Sequence, residues 1–341
     1  MEFWTRSQAR AEGRFDEFAK IFSSVPSAVR PAKEAPLLWP APLWVSLLQL
    51  PFPRPTEFWV TRSGHQRIGA NVSLTNPDVG FIGFFETDTS TKEALAIGKG
   101  LLHEAEAFLK SKGVKTVYGP LNYNTWFPYR FGLPKDDELT FSWEPFQPKE
   151  YPQVWMEGGF TVCESYQSVG LGDLQGYAEK CRPAYERAAQ EGYSFRPVDA
   201  DRLESHEIPA LYEISMEGFR DNFLFEPLDP QGFAGIYVPA MKKADLSYSF
   251  FVLDKNGKEV GFFYGFVDQG YLVLKTVAVR NEARGKGLSN ALTYLQATAA
   301  LAKGHSKMIT ALVKTGAQSE SYKKKATPLW THDYVLLKKE I

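Results

Sequence analysis

Apolar positions in the first part of the chain follow two different periods. The alternating stretches at 57–62, 67–73 and 78–87 predict three consecutive strands. Apolar residues at helical spacing then predict a helix over 91–112, which Gly113 ends. A short apolar stretch after that glycine predicts another strand over 114–118.

The second half repeats this order of elements. Strands are predicted at 248–253, 259–266 and 271–279. A helix over 287–303 and a strand over 307–313 follow them. Further elements are a helix over 177–191 and a terminal strand over 332–339.

A fixed offset relates the two halves. Adding 191 positions places Lys112 and Gly113 on Lys303 and Gly304, and it superposes three predicted elements of the same type. Few residues are identical, so the repeat is one of architecture. We therefore predict an α/β fold with two similar halves, each a mixed sheet flanked by helices, joined near 170–176.

Composition limits the classes of partner. Lys and Arg number 39 against 40 Asp and Glu, for a net charge of -1, so the basic surface typical of nucleic-acid binding is not expected. Cys163 and Cys181 are too few for a disulfide scaffold, and the five histidines lack metal-ligand spacing, so no metal is expected. Neither a signal-peptide pattern nor an apolar run of ~18 residues is present, which favours a cytoplasmic protein without membrane contact.

The clearest chemical pattern lies between the strand at 271–279 and the helix at 287–303. The turn between them carries Arg284, Lys286 and two glycines. Glycine lets a ligand approach the backbone, and the first amides of a helix lack internal partners. With the helix dipole, these groups predict an anion site suited to a pyrophosphate. A plain strand-to-helix turn with solvated charges is the competing interpretation.

The sequence Arg284-Gly285-Lys286-Gly287-Leu288-Ser289 resembles the acetyl-CoA signature of the GNAT acyltransferases, Arg/Gln-x-x-Gly-x-Gly/Ala after a strand. Ser289 stands where that signature has Gly or Ala. The order of elements over 194–340 is similar to that family as well. Residues 57–171, with the Gly-Pro-x-Asn loop that begins at Gly119, resemble the first half of a poorly characterised bacterial family of tandem GNAT proteins.

The resemblance implies acetyl-CoA as co-substrate, with pantetheine along the strand and pyrophosphate on the turn. The implied cofactor-binding residues are Val277, Ala278, Val279, Arg284, Gly285, Lys286, Gly287, Leu288 and Ser289. A backbone N–H near Val277 would hold the thioester oxygen. Tyr322 lies where GNAT proteins often carry a tyrosine, and the resemblance implies that it protonates the leaving thiolate; a tyrosine that only packs the helix is the alternative. No general base is identified.

The first half lacks the cofactor turn. The offset places Arg284 on Glu93 and Gly287 on Ala96, and a carboxylate is unfavourable beside a pyrophosphate. That half instead carries a loop of aromatic, amide and Arg residues, which we predict to bind the acceptor. The candidate side chains are Asn122, Asn124, Trp126, Tyr129 and Arg130. A loop whose aromatic rings only pack the protein together is the alternative.

The sequence thus predicts a degenerate GNAT-like domain over 1–171 and an acetyl-CoA-binding GNAT domain over 172–341. The expected activity is acyl-CoA-dependent transfer of an acyl group, most simply acetyl, to an amine of a small molecule or peptide. Two other functions remain open. One is tRNA-dependent aminoacyl transfer of the Fem type, and the other is non-catalytic binding of acyl-CoA or a metabolite.

Overall fold

The computed structural model describes residues 2–3, 11–13, 57–62, 66–89, 91–135, 137, 139–316 and 327–341. The chain divides into two compact units: unit 1 combines Met1–Ser165 with Asp333–Ile341, and unit 2 is Tyr166–His332. The C-terminal residues therefore group with unit 1, whereas a division after residue 171 assigns them to the second half.

The described residues of unit 1 form mixed-sheet strands and two α-helices. Its strands are β1 (Glu2–Phe3), β2 (Glu57–Arg62), β3 (Gln66–Val72), β4 (Val79–Glu86), β5 (Thr116–Gly119) and β6 (Phe131–Gly132). Its helices are α1 (Lys92–Ser111) and α2 (Tyr151–Glu157). Two further strands, β7 (Thr161–Leu171) and β13 (Pro328–Glu340), contribute residues to both units.

The sheet of unit 1 has the order β1-β2-β3-β4-β5-β13. Its neighbours are antiparallel except β4 and β5, which are parallel and are connected by α1. The helix buries its apolar face, which includes Leu101, Ala105 and Leu109. It ends before Gly113, whose φ of 85° is the left-handed conformation that glycine adopts readily. The helix predicted over 91–112 is thereby confirmed.

The described residues of unit 2 form mixed-sheet strands and four α-helices. Its strands are β8 (Ser194–Pro197), β9 (Phe250–Leu253), β10 (Glu259–Asp268), β11 (Tyr271–Val279) and β12 (Lys307–Lys314). Its helices are α3 (Leu174–Gln190), α4 (Ile208–Gly218), α5 (Pro230–Met241) and α6 (Leu288–Ala302). A π-helical turn, Leu203–Glu207, precedes α4, and a 3-10 turn, Asn281–Ala283, precedes α6.

The sheet of unit 2 has the order β7-β12-β11-β10-β9-β8. Its pairs are antiparallel except β11 and β12, which are parallel and are connected by α6. Helices α3 and α6 bury residues in one apolar core with these strands, and this core includes Cys181. Neither Cys181 nor Cys163 is in a disulfide, and burial raises the pKa of the Cys163 thiol to about 11.

Both units therefore show three antiparallel strands, then a helix, then a strand parallel to the third. This order confirms the mixed α/β architecture predicted from the two repeated patterns. Across the described part of the chain, no helix combines the length and the apolar character needed to cross a membrane.

Candidate functional site

The parallel strands β11 and β12 pair over only part of their length. Their register runs from Tyr271↔Lys307 to Leu274↔Thr310 and stops there, although both strands continue. At the same level, the register between β10 and β11 shifts from Gly265↔Leu274 to Tyr264↔Thr276, which leaves Lys275 as a bulge. A bulge bends its strand and disrupts the local ladder, so β11 diverges from β12 beyond Leu274.

Strand β12 has an irregularity of its own at this point. Its register with β7 shifts between Thr310 and Val313, and Leu312 takes a positive φ of 56°. The Leu312 amide donates to the hydroxyl of Ser168 on β7 at 2.9 Å. A side chain of β7 thus replaces the missing backbone partner and stabilises the bent strand.

The divergence opens a cleft of about 610 Å³ in unit 2. Its walls are the parts of β11 and β12 that no longer pair with each other, the turn before α6 and the end of α4. The residues that line it are Gly218, Phe219, Asn222, Phe263, Leu274, Lys275, Thr276, Val277, Ala278, Val279, Ala283, Arg284, Gly285, Gly287, Leu288, Ser289, Asn290, Thr310, Ala311, Leu312, Val313 and Lys314. Of the nine cofactor residues suggested by the sequence, all except Lys286 line this cleft.

The two glycines of the turn are needed for its backbone conformation. Gly285 and Gly287 have φ values of 79° and 75°, a region that other residues enter at a cost. No atom lies within 4 Å of the position that a Cβ on Gly285 would take, so this backbone is open. The first backbone bond to Gly287 is donated by Asn290, which leaves the amides of Leu288 and Ser289 ahead of the intrahelical ladder.

The two predicted cations of the turn have separate roles. Arg284 donates to the carbonyl oxygen of Gly218 at 2.7 Å and lies 3.8 Å from Asp221, so it fastens the end of α4 to the turn. Lys286 is exposed and points away, with its Nζ 5.3 Å from the centre of the Tyr193 ring. A hydrogen bond with the Tyr193 hydroxyl raises the pKa of Lys286.

A third cation lies at the turn, and no sequence motif indicated it. The Nη2 atom of Arg187, near the end of α3, lies 2.9 Å from the position that a Cβ on Gly287 would take. Arg187 is exposed, and nothing in its own stretch of sequence marks it. The packing of α3 against α6 alone brings it beside the helix start. Phe219 and Asn222, which follow α4, were missed for the same reason, since no motif includes them.

Acidic and imidazole side chains are absent from the described residues that line the cleft. The nearby carboxylate of Glu217 accepts from the Asn281 amide at 2.7 Å and from Arg280 at 3.0 Å. Partial burial would raise the pKa of Glu217, but these two hydrogen bonds outweigh it and lower the pKa. Glu217 therefore stays ionised and orders the turn. Tyr322 lies outside the described residues.

The corresponding place in unit 1 is filled by the protein itself. Strands β4 and β5 pair from Val79↔Thr116 to Phe81↔Tyr118, and the chain then turns into the loop at 120–130. The Leu121 amide donates to the carbonyl oxygen of Ile82 at 2.8 Å. The Phe84 amide donates to Oδ1 of Asn122 at 2.6 Å. Hence the edge of β4 that faces this loop already has hydrogen-bond partners.

The loop also packs tightly against β4. A Cβ on Gly83 would overlap the carbonyl oxygen of Leu121. Tyr123 is buried, and its ring packs edge-on against Phe84 at 4.9 Å and Phe127 at 5.7 Å. The start of α1 supplies Glu93 in its first turn and no glycine. The described part of unit 1 thus shows neither an open edge between β4 and β5 nor a glycine turn at the start of α1.

The five candidate acceptor residues all lie in this loop of unit 1. Oδ1 of Asn122 accepts a hydrogen bond from the Phe84 amide, and Oδ1 of Asn124 accepts one from the Trp126 amide at 3.0 Å. The guanidinium of Arg130 lies 3.9 Å from the centre of the Tyr129 ring. Asn124 and Arg130 are buried, whereas Trp126 and Tyr129 are half-buried. The structure therefore uses the two amides to shape the loop.

A metal centre is not found in the described part of the chain, where no three His, Cys, Asp or Glu side chains form a group that could hold an ion. No family model matches the sequence. No curated protein matches it either.

Several solved structures are similar to this chain in fold. The chain matches the glucosamine N-acetyltransferase region of a fungal multi-domain GH3 β-N-acetylglucosaminidase with 15% identity and a TM-score of 0.56, over 99% of this chain and 38% of that one. It matches a conserved protein from Enterococcus faecalis, designated a probable N-acyltransferase, with 10% identity and a TM-score of 0.52, over 96% and 71%.

A tandem GNAT protein from the clavulanic acid biosynthesis pathway is 12% identical, with a TM-score of 0.49 over 99% of this chain and 98% of that one. The present chain spans less than half of the fungal protein. Identities this low establish the fold alone. This chain has the fold of the GNAT N-acyltransferases.

Proposed function

We propose that this protein is an acyl-CoA-dependent N-acyltransferase whose co-substrate site is the cleft of unit 2. One observation carries the proposal: β11 and β12 diverge in front of a helix that begins at a left-handed glycine. The gap between the strands offers backbone edges to an extended amide chain. The helix start offers N–H groups to a phosphate.

The residues present suit coenzyme A. The backbone of Gly285 is open, and the described lining carries no acid that would repel phosphates. The hydroxyl of Thr310, at the point of divergence, is buried without a hydrogen-bond partner within the described residues, as expected of a group that awaits a ligand. In this assignment the amides of 285–289 hold the pyrophosphate, with the Arg187 guanidinium beside them, and the edge of 276–279 pairs with the pantetheine amides.

Bound acyl-CoA would supply the acyl group as an activated thioester. The bulge at Lys275 interrupts the ladder between β10 and β11. In this proposal a backbone N–H near Val277 would hold the carbonyl oxygen as negative charge develops. Unit 1 shows a comparable contact. The offset of 191 places Phe84 on Lys275, and the Phe84 amide donates a hydrogen bond to the carboxamide oxygen of Asn122.

Proton transfers complete the reaction. Tyr322 remains our candidate for donating a proton to the leaving sulfur, with an expected loss of ~10²-fold or more in turnover for Tyr322→Phe. Because the described lining carries no carboxylate or imidazole, we propose that the acceptor amine loses its proton to water. Acceptor binding by the unit 1 loop is a weaker proposal, since Asn122 and Asn124 already have partners.

Isothermal titration with acetyl-CoA tests the proposal. We expect one site per chain and a loss of affinity of ~100-fold or more for Gly287→Glu, which adds bulk, charge and backbone strain where the phosphate is expected. Gly304→Glu is the matched control, since Gly304 has a φ of 83° and open surroundings at the other end of α6. Two equivalent sites, or equal affinities for both variants, would contradict the proposal.

A further inference from the structure

The cleft of unit 2 has a second wall that the coenzyme does not account for. Phe219 and Asn222, which follow α4, line the cleft together with Lys314 at the end of β12. The adjoining ring of Phe223 is 38% exposed, an unusual exposure for a large apolar side chain. The Nζ of Lys314 lies 5.2 Å from the centre of that ring. The wall thus combines an ammonium group, a carboxamide and aromatic surface.

The charge of the cleft has one sign. Its described lining contains Lys275, Arg284 and Lys314 and no Asp or Glu, although the whole chain has a net charge of -1. Arg284 belongs to the turn and is bonded to the carbonyl oxygen of Gly218. The two lysines lie instead on the diverging strands, away from the helix start that suits the phosphates.

We infer that the amine acceptor carries a carboxylate, held by the ammonium group of Lys314 and the carboxamide of Asn222. An ammonium paired with a carboxylate forms a strong charge-assisted hydrogen bond, and a carboxamide can donate to the second oxygen. The apolar part of the acceptor then lies on Phe219 and Phe223. Polyamines and other cationic acceptors offer Lys314 no carboxylate, and we expect them to bind less tightly. The inference rests on the function proposed above.

The test compares amines that differ only in the carboxylate. L-Phenylalanine, L-leucine and glycine are each paired with their primary amides, and spermidine represents cationic amines. Binding is measured by calorimetry with and without saturating CoA, and acyl transfer is measured by release of free thiol from acetyl-CoA. The amine of an amino-acid amide is the more readily deprotonated, so a preference for the acid cannot arise from intrinsic reactivity.

We expect at least one acid to bind roughly tenfold more tightly than its amide, the effect of one hydrogen bond between charged groups. Lys314→Met keeps an apolar stem for Phe223 to pack on and should abolish this preference without changing the affinity for CoA. Lys307→Met is the matched control, because Lys307 is on the same strand, 5.5 Å from the ring centre of Tyr271, and outside the cleft.

The outcomes separate the two proposals. If the amides or spermidine bind as well as the acids, or if none of the acids binds, the carboxylate inference is wrong while CoA binding can still stand. If acetyl-CoA does not bind, the proposed function fails. In that case, the affinities of each amino acid and its amide for the protein without CoA decide whether the wall recognises carboxylates. Equal effects of Lys314→Met and Lys307→Met would also overturn the inference.

Discussion

The two units carry the same pair of parallel strands joined by a helix, yet the space beside those strands differs. In unit 2, β11 and β12 separate after Leu274↔Thr310, and the space between them is an open cleft. In unit 1, β4 and β5 stop pairing after Phe81↔Tyr118, and the loop that follows fills the corresponding space. There the carboxamide oxygen of Asn122 accepts a hydrogen bond from the Phe84 amide.

This difference shows that an open cleft depends on more than the sheet. Both units contain a bulged third strand, since the register of β3 with β4 shifts near Phe84 as that of β10 with β11 shifts near Lys275. What distinguishes the described parts of the two units is the loop after β5, which packs on β4, and the first turn of the helix. Glycines in left-handed conformation start α6, whereas Glu93 occupies the first turn of α1.

The largest expected effect concerns the tight packing of the filled site. Gly83→Ala forces a Cβ into the backbone of Leu121, and we expect the free energy of unfolding to fall by about 3 kcal/mol, as in severe overpacking. Gly100→Ala, at an open position of α1, should instead be neutral or stabilising. Urea unfolding of both variants measures the difference. Similar stabilities would mean that the loop does not pack against β4 as described.

Acid should weaken unit 2 through Glu259. Burial would raise the pKa of Glu259, but hydrogen bonds from His206 and Arg196 bring it to about 2. A carboxyl with a lowered folded-state pKa stabilises the fold above its unfolded pKa, and this contribution is lost as pH falls. We expect a loss on the order of 2 kcal/mol between about pH 4.5 and pH 2.

Urea unfolding at pH 6 and pH 3 measures the loss in the free energy of unfolding. Hydrogen exchange at the two pH values shows which unit is weakened. Glu259→Gln should reduce the pH dependence, whereas Glu282→Gln, which removes an exposed partner of Lys258, should not. If acid instead loosens the peptides of unit 1 first, the assignment of this sensitivity to unit 2 is incorrect.

The role of Asn122 can be tested separately from the packing. Asn122→Ala leaves the Phe84 amide without its acceptor, and we expect a loss of about 1.5 kcal/mol, typical of an unsatisfied buried donor. The variant should still bind a single equivalent of acetyl-CoA, because α1 lacks the glycine turn. A second binding site in this variant would show that Asn122 alone closes unit 1.

The smallest expected effect concerns the turn of the open cleft. Arg187→Ala should raise the dissociation constant of acetyl-CoA about fivefold, the value of one exposed charge pair, and Arg187→Lys should retain most of the affinity. Arg182→Ala, on the same helix and paired with Glu179, is the control. If Arg187 acts on the pyrophosphate, Arg187→Ala should weaken the binding of dephospho-CoA by the same factor as that of acetyl-CoA. Unchanged affinity for both ligands would remove Arg187 from the site.

Local patterns were enough to place most elements of the fold. The helices predicted over 91–112 and 287–303 are found at Lys92–Ser111 and Leu288–Ala302. The strand predicted over 271–279 is Tyr271–Val279. These elements were predictable because periodicity and glycine stops act over a few residues. The turn at 284–289 was found in the same way, since a strand, two glycines and a helix follow one another along the chain.

What the sequence alone determined is therefore the order of elements, the repeat, and the turn suited to a phosphate. The tertiary structure decided which cleft is open, because Asn122 and Gly83 meet only when the loop folds back on β4. It also brought Arg187, Phe219 and Lys314 to unit 2's cleft from three separate elements. Contacts between residues distant in sequence leave no periodic signal, so only the packing of α3, α4 and β12 around β11 reveals them.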